Sequence, residues 1–483
     1  MADVVVLGAG VAGHTAALHL KRLLGKEHTV TVVTPNSQWN WIPSNIWVGV
    51  GDMPAEKVLF PLADVYRKQK IEYLQAKAVA IHPDGSETDP RPFVDIEYTG
   101  QGRAGEPGTV HYDYLINATG PKLRFEATPG MGPGGYTHSV CTADHATHAA
   151  HALEASIAKM RAGERQTLVI GMGHGTCTCQ GAAFEYVFNV DHTIRQAGVR
   201  DLATIVYLTN EAALGDFGVG GMVFDQEGFQ TTSELWTKSL FRERGVLAIV
   251  GAHVERVEDG VIHYETLDGT KHSLAFDFSM LIPPFGGVGL KAYARDGGDI
   301  TDTLFAPSGF MKVDADYTPK PYEQWKATDW PSTYEVPGYR NLFAVGIAFA
   351  PPHAISKPLK TPNGTAIAPA PPRTGMPSGV TGKAAAITIA RRIKNPDAPA
   401  EPASMAHMGA ACVASAGTGL TKGSAAAMTM LPVVPDYDRY PTGRDVRETR
   451  GELGLHGHWV KLMLHYLFLY KAKAKFGWPL IPE

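Results

Sequence analysis

The sequence predicts an α/β fold, and two observations predict it. In each, a strand-like apolar run ends in glycines and opens into a helix. The first is VVVLGAGVAG, followed by HTAALHLKRLLG and HTVTVVT; the second starts at TLVIGMGHG, 167–175, and runs to ATIVYLT, 203–209. Strand, glycine turn, helix and strand make a βαβ unit. YDYLINATG, 112–120, adds a strand that ends in small residues, and NLFAVGIAFAPP, 341–352, has the same character. These elements predict two Rossmann-like dinucleotide-binding domains, the second nested in the first, plus a C-terminal membrane-surface helical region. The expected boundaries are 1–160 with 300–385 for the first domain, 161–299 for the second, and 386–483 for the C-terminal region. Residues 351–377 read as an ordered loop, and the alanine- and glycine-rich stretch 403–430 shows no usable period.

Bulk properties bound the function. The chain has 483 residues, 44% hydrophobic and 19% charged, which fits a globular protein with a large core. A formal charge of −4, with no basic run interleaved with aromatics, excludes a nucleic-acid partner. Four cysteines in so long a chain are not a secreted disulfide framework. No apolar run is long enough to span a bilayer. The N-terminus lacks a basic segment before its first strand, so the cytoplasmic side is expected, the periplasmic side staying open.

The first glycine turn is a candidate dinucleotide site. Gly8, Gly10 and Gly13 allow a tight turn and a close backbone approach, and the helix that follows offers free N–H groups to a pyrophosphate. The strand VTVV ends in Thr34, Pro35 and Asn36 rather than in an acid, so Asn36 or a backbone group is left to hold a ribose. Ala118, Thr119 and Gly120 form a second small-residue turn expected near the pyrophosphate, and Gly346 ends the strand of similar character. FAD is favoured over NAD.

The second turn, GMGHGTCTC at 171–179, keeps its glycines but places Cys177 and Cys179 where a phosphate would sit. A sulfur at a helix N-terminus has its thiolate stabilised by the dipole and the free N–H groups. The alternative is a degenerate loop with two inert thiols. His138, His145, His148 and His151 step around a helix without a completing carboxylate or thiol, so no metal is expected.

Several segments together resemble the sulfide:quinone oxidoreductase family, which is related to type II NADH dehydrogenases and glutathione reductase. They are WNWIPSNIWVGVG (39–51), with Ile46 where proline is usual; SVCTADHA (139–146); CQGAAFEY (179–186); PPRTG (371–375), with Arg373 in place of lysine; GAACVASAG (409–417); and GSAAAMTMLP (423–432). The resemblance is close to full length and weakest over 285–340. It implies FAD as cofactor, with Arg373 in a cofactor loop, and a membrane quinone as electron acceptor. It implies that Cys179 and Cys412 form the redox pair, that Cys141 assists the first attack or product release, and that His145 lies near the substrate channel. Asp216 stands where the family has a second histidine. Cys177 has no counterpart and reads as a buried thiol.

Sulfide is a nucleophile that can open a disulfide without an activating base. The resulting thiolate, Cys412 by the resemblance, would pass the electron pair to the flavin. His145 could move protons or orient sulfide; Glu185, early in the helix after Cys179, could do likewise or serve the helix dipole. The segment 456–482 reads as an amphipathic helix and tail, with Trp459, Leu462, Met463, Tyr466, Leu467 and Tyr470 on one face and Lys461 and His465 elsewhere. That face predicts a helix lying on a bilayer; a core or dimer-interface helix is the alternative, and self-association stays open. Other readings are an NADH:quinone oxidoreductase, for which IVYLTNEAALG supplies the acid Glu211, the flavin subunit of a sulfide dehydrogenase, and a non-catalytic persulfide sensor.

Overall fold

The structure, a computed structural model, describes all residues but 227, 373, 374, 418 and 422. The elements that place the site, in chain order, are β1 (Asp3–Leu7), α1 (Val11–Leu24), β2 (Thr29–Thr34), β3 (Glu72–His82), β4 (Tyr114–Asn117), α2 (Ala143–Arg161) and β5 (Gln166–Met172). They continue with α3 (Gln180–Gln196), β6 (Ala203–Leu208), β7 (Val246–Ile249), β8 (Phe278–Ile282), β9 (Tyr339–Ala344) and α4 (Gly375–Lys394). The last are β10 (Ala410–Ala416), β11 (Ser424–Met430), β12 (Arg450–Gly454) and α5 (Leu455–Ala472).

The first sheet runs β9-β4-β1-β2-β3 with every neighbouring pair parallel, and continues antiparallel through Phe93–Tyr98 and Pro107–His111. The valines of β1 are buried on both faces, which is why the strand is apolar throughout instead of alternating. β9 arrives more than two hundred residues after β4, so the second sheet lies within the chain path of the first. That second sheet is β7-β6-β5-β8, all parallel. Both are the nucleotide-binding type of α/β layer.

The stretch 403–430, without a readable period, holds two strands. β10, β11 and β12 form an antiparallel sheet in which Cys412 pairs with Met428. Alanine carries little strand preference, so the pairing comes from packing against α3 and α5, which sequence pattern does not report.

α5 follows that sheet with its expected outer stripe: Trp459, Met463, Tyr466, Leu467 and Tyr470 are exposed, joined by Val460. Leu462, expected on this stripe, is buried instead. His458, Lys461 and His465 are also buried, beside Phe468 and Leu469, so the inner side of the helix is mixed. No helix among the described residues is long and apolar enough to cross a membrane.

The end of α5 is fastened to α1. The buried His14 ring lies 2.9 Å from the Tyr66 hydroxyl through Nδ1 and 2.7 Å from the Ala472 carbonyl through Nε2. A neutral ring satisfies both, with Nε2–H donating to the carbonyl and Nδ1 accepting from the phenol. Lys471 and His19 both meet the Glu483 carboxylate, at 2.6 and 2.8 Å.

Burial holds the His14 pKa down at about 4. The unfolded ring protonates near pH 6.5 and the folded ring does not. Stability from His14 is therefore full above about pH 6.5 and is lost as pH falls from there toward 4. Melting temperatures across this range should fall for the wild type and fall less steeply for His14→Gln.

Candidate active site

The two glycine turns have the same outline and opposite interiors. At the first, a Cβ on Gly8 (φ +92°) would lie 2.3 Å from the Ala118 carbonyl oxygen, and one on Gly13 would lie 2.1 Å from the Gly8 carbonyl oxygen. These glycines hold the turn and bring α1 onto it. Around Gly10 nothing stands within 4 Å of a Cβ, so the middle of the turn is open. Gly10 caps α1 without a side chain, and the first turn of α1 carries no acid. Free N–H groups and an uncompensated positive helix end face an open turn, which fits a pyrophosphate. Asn117 accepts from the Thr119 amide and hydroxyl through Oδ1, shaping the Ala118–Gly120 turn next to Gly8. Asn36 is exposed at the end of β2, where its carbonyl accepts from Tyr73. Gly346 (φ +63°) donates its N–H to Thr381 Oγ1, and its missing side chain lets β9 approach Ala12 of α1. Arg373 lies outside the described residues.

The second turn is filled by protein. A Cβ on Gly173 would meet Met131 Sδ at 1.9 Å, and one on Gly175 the Ala366 carbonyl oxygen at 2.2 Å. Residues 366–371 lie along the loop as a strap: Ala368 N–H donates to Gly175 O, Ala370 N–H donates to Cys177 O, and Thr178 Oγ1 donates to Pro371 O, at 2.8, 3.0 and 2.7 Å. Glu211, the acid a nicotinamide ribose would need, is buried. Its Oε1 accepts from the Phe217 amide at 2.7 Å and its Oε2 from the Thr209 and Tyr207 hydroxyls at 2.7 and 3.2 Å. Burial raises its pKa to about 7.

What the second turn carries is sulfur. Cys179 caps α3 in the left-handed conformation, φ 73° and ψ 37°. A non-glycine residue held there costs about 1–3 kcal/mol, a strain that concentrates at functional sites. Cys412 comes from β10, far away in sequence, and its Sγ lies against Gly181, where a Cβ would stand 2.5 Å from it. Cys141 lies just before α2, and Cys141 and Cys412 each feel the charge of Cys179. No disulfide joins the four cysteines. Burial pushes Cys141 and Cys412 up to about 12, with Glu185 pushing Cys412 further up and Lys461 opposing it. Cys177 is fully buried, its Sγ 3.1 Å from the Ile282 carbonyl, and burial raises its pKa strongly. Burial therefore outweighs the helix end for this thiol, against the expectation that the loop lowers it.

His145 is half-buried in the first turn of α2, edge-on to Phe125 at 5.8 Å. Burial lowers its pKa, so the ring is neutral near pH 7. Glu185 is buried beneath the sulfur group. Its Oε2 accepts from Lys461 Nζ at 3.0 Å and its Oε1 from the Ser415 amide at 3.3 Å. Asp216 accepts from the Ser356 hydroxyl and the Gly218 amide, outside this set.

Three residues behind the site escaped the sequence reading. Ser415, on β10 with Cys412, accepts at its carbonyl from Trp47 Nε1 and Asn189 Nδ2, both at 2.9 Å, and its hydroxyl pairs with His458 Nδ1 at 2.6 Å. Trp47 is fully buried, edge-on to His458 and His465. Lys461, expected away from the apolar stripe, is buried against Glu185. The usable signal was its place, with His458 and His465, on one inward stripe of α5.

Comparison with known proteins agrees with this geometry. The pyridine nucleotide-disulphide oxidoreductase family matches residues 2–214. The sulfide-quinone reductase of Aquifex aeolicus (strain VF5) is 28% identical over 472 residues, 97% of this chain and 91% of that one. The crystal structure of the sulfide:quinone oxidoreductase from the same hyperthermophilic bacterium superposes with a TM-score of 0.74 at 26% identity, covering 98% of this chain and 92% of the other. NDH2 from Plasmodium falciparum shares the fold, with a TM-score of 0.62 at 14% identity over 99% and 97% of the two chains.

Removing the cation from the buried pair leaves an uncompensated carboxylate. Lys461→Met should lose about 3–5 kcal/mol of stability, and Lys461→Met with Glu185→Leu should recover most of it. Urea unfolding of the three proteins checks this. The open first turn, the thiols in the filled second turn and the near full-length similarity agree: the chain is an FAD-dependent oxidoreductase similar to sulfide-quinone reductase.

Proposed function

We propose that the protein oxidises sulfide at the Cys179 and Cys412 thiols and delivers the electrons to a membrane quinone. The observation that carries this reading is the contact of Cys412 Sγ with Gly181, two residues after Cys179. It supports the pairing because Cys412 lies against a residue two along from Cys179, although the two cysteines are more than two hundred positions apart in sequence.

In the resting oxidised form the two sulfurs are joined. Hydrosulfide attacks the Cys179 sulfur, the S–S bond breaks, and Cys179 becomes a persulfide while Cys412 leaves as a thiolate. Burial and Glu185 make that thiolate unfavourable, so it is a strong electron donor; Lys461, held by Glu185, moderates its charge. FAD, held at the Gly8–Gly13 turn, supplies two-electron chemistry and the passage of electrons onward. A second hydrosulfide attacks the outer sulfur of the persulfide, its bond to Cys179 breaks, and inorganic disulfide leaves with Cys179 freed as a thiolate; re-forming the Cys179–Cys412 bond gives up the electron pair that bound FAD would accept. Cys141 assists at the entry, and neutral His145 is placed to take the proton of incoming sulfide.

The electron exit follows from the outer face of α5. Trp459, Met463 and Tyr466 (64% exposed) form one stripe, and the following Phe476 (98% exposed) and Leu480 extend it. Burial lowers the pKa of Lys473, and Lys475 and Lys57 lie close enough to lower it further. Apolar side chains rimmed by lysines suit a helix lying in the surface of an anionic bilayer, where quinone dissolves. The same stripe disfavours a soluble flavin subunit. The strapped second turn and the engaged Glu211 disfavour NADH as donor.

Two measurements test these statements. Anaerobic sulfide should bleach the flavin absorbance of the purified holoprotein, and NADH should leave it oxidised. Cys412→Ser should keep its FAD and lose the bleaching; bleaching by NADH or by sulfide in Cys412→Ser would sink the reading. Met463→Glu with Tyr466→Glu should lower co-sedimentation with anionic vesicles at least about tenfold at unchanged FAD content.

A further inference from the structure

We propose that Gly181 is a positioning residue: its bare Cα is the seat on which Cys412 Sγ rests, and it sets the distance between the two reactive sulfurs. The proposal rests on the Cys179 and Cys412 reading and deepens it.

Gly181 lies in the first turn of α3, where glycine is disfavoured relative to alanine. Its backbone does not explain the choice, because its φ is not in the positive region that glycine serves elsewhere in the chain. Its surroundings do. The heavy atoms near a Cβ at this position are Cys412 Sγ at 2.5 Å and Cys412 Cβ at 3.8 Å. The obstacle is thus one sulfur atom, not a backbone that glycine must let pass, as at Gly8, Gly13 or Gly175. A methyl group here would leave the fold intact and swing Sγ to another rotamer, away from Cys179.

Cys412 has little freedom to follow by sliding its strand. Ser415 ties β10 to α3 through Glu185 and Asn189, to the helical turn at 45–48 through Trp47, and to α5 through His458. With the strand fixed along its length, the rotamer of Cys412 is the adjustable part, and Gly181 is what admits the productive one. Disulfide geometry tolerates little error, so a displaced sulfur cannot reach its partner.

The test uses the full-length, FAD-loaded protein. Diamide oxidises the two thiols to the disulfide and is itself reduced to the hydrazine, taking up both protons. After an acid quench and alkylation, the Cys179–Cys412 linked peptide is quantified against time. Wild type should form it, and Gly181→Ala should form it at least about tenfold more slowly at unchanged FAD content. A second readout separates position from general stability. Gly181→Ala should raise the melting temperature more in a Cys412→Ala background, where the obstructing sulfur is gone, than in the wild-type background. Equal linkage rates, or equal temperature shifts in the two backgrounds, would overturn the role of Gly181. Failure of wild type to form the linkage would overturn the thiol-pair reading itself.

Discussion

The site depends on the docking of β10 across the start of α3. Cys179 and Cys412 sit on elements that belong to different layers of the protein. The contact that joins them has three parts: Cys412 Sγ on Gly181, the Ser415 amide and carbonyl on Glu185 and Asn189, and the Glu185–Lys461 pair that closes the layer from below. Glu185, Lys461 and the Ser415 amide and carbonyl are buried and have their partners, which is the condition for keeping such groups inside at all. A buried ion pair is a weak source of stability, and here its position beneath Cys412 connects it to the charge of the thiol.

The two glycine turns show how one supersecondary unit supports two chemistries. Both place a helix N-terminus without a capping side chain or a first-turn acid at the end of a parallel strand. The first leaves the space in front of Gly10 open, and the second packs Met131 and the 366–371 strap into the corresponding region. What differs between the two turns is what occupies the space in front of them, while the fold is shared with NDH2 of Plasmodium falciparum.

α5 has apolar residues on both sides. Its buried side holds Leu462, Phe468 and Leu469 beside His458, Lys461 and His465, which meet Ser415, Glu185 and Ser44, while its exposed stripe is aromatic and aliphatic. An exposed stripe of this kind is the feature of a contact surface. The far end of α5 is tied to α1 through His14 and through His19 and Glu483, so the surface helix and the helix of the open glycine turn are packed together.

The α/β class and the two glycine turns were legible in the sequence because each is local, while the cysteine segments stood out only by their resemblance to a known family. Residue types at fixed short spacing encode a strand, a turn and a helix cap. Trp459, Met463, Tyr466, Leu467 and Tyr470 were legible for the same reason, by helical spacing. Tertiary structure alone decided the rest. It built strands from the alanine-rich stretch around Cys412, turned Leu462, Lys461 and His465 inward, engaged Glu211, and filled the second turn with residues 366–371. All of these are contacts between segments far apart in the chain. Their energies depend on which surfaces meet, and no local pattern of residues records that.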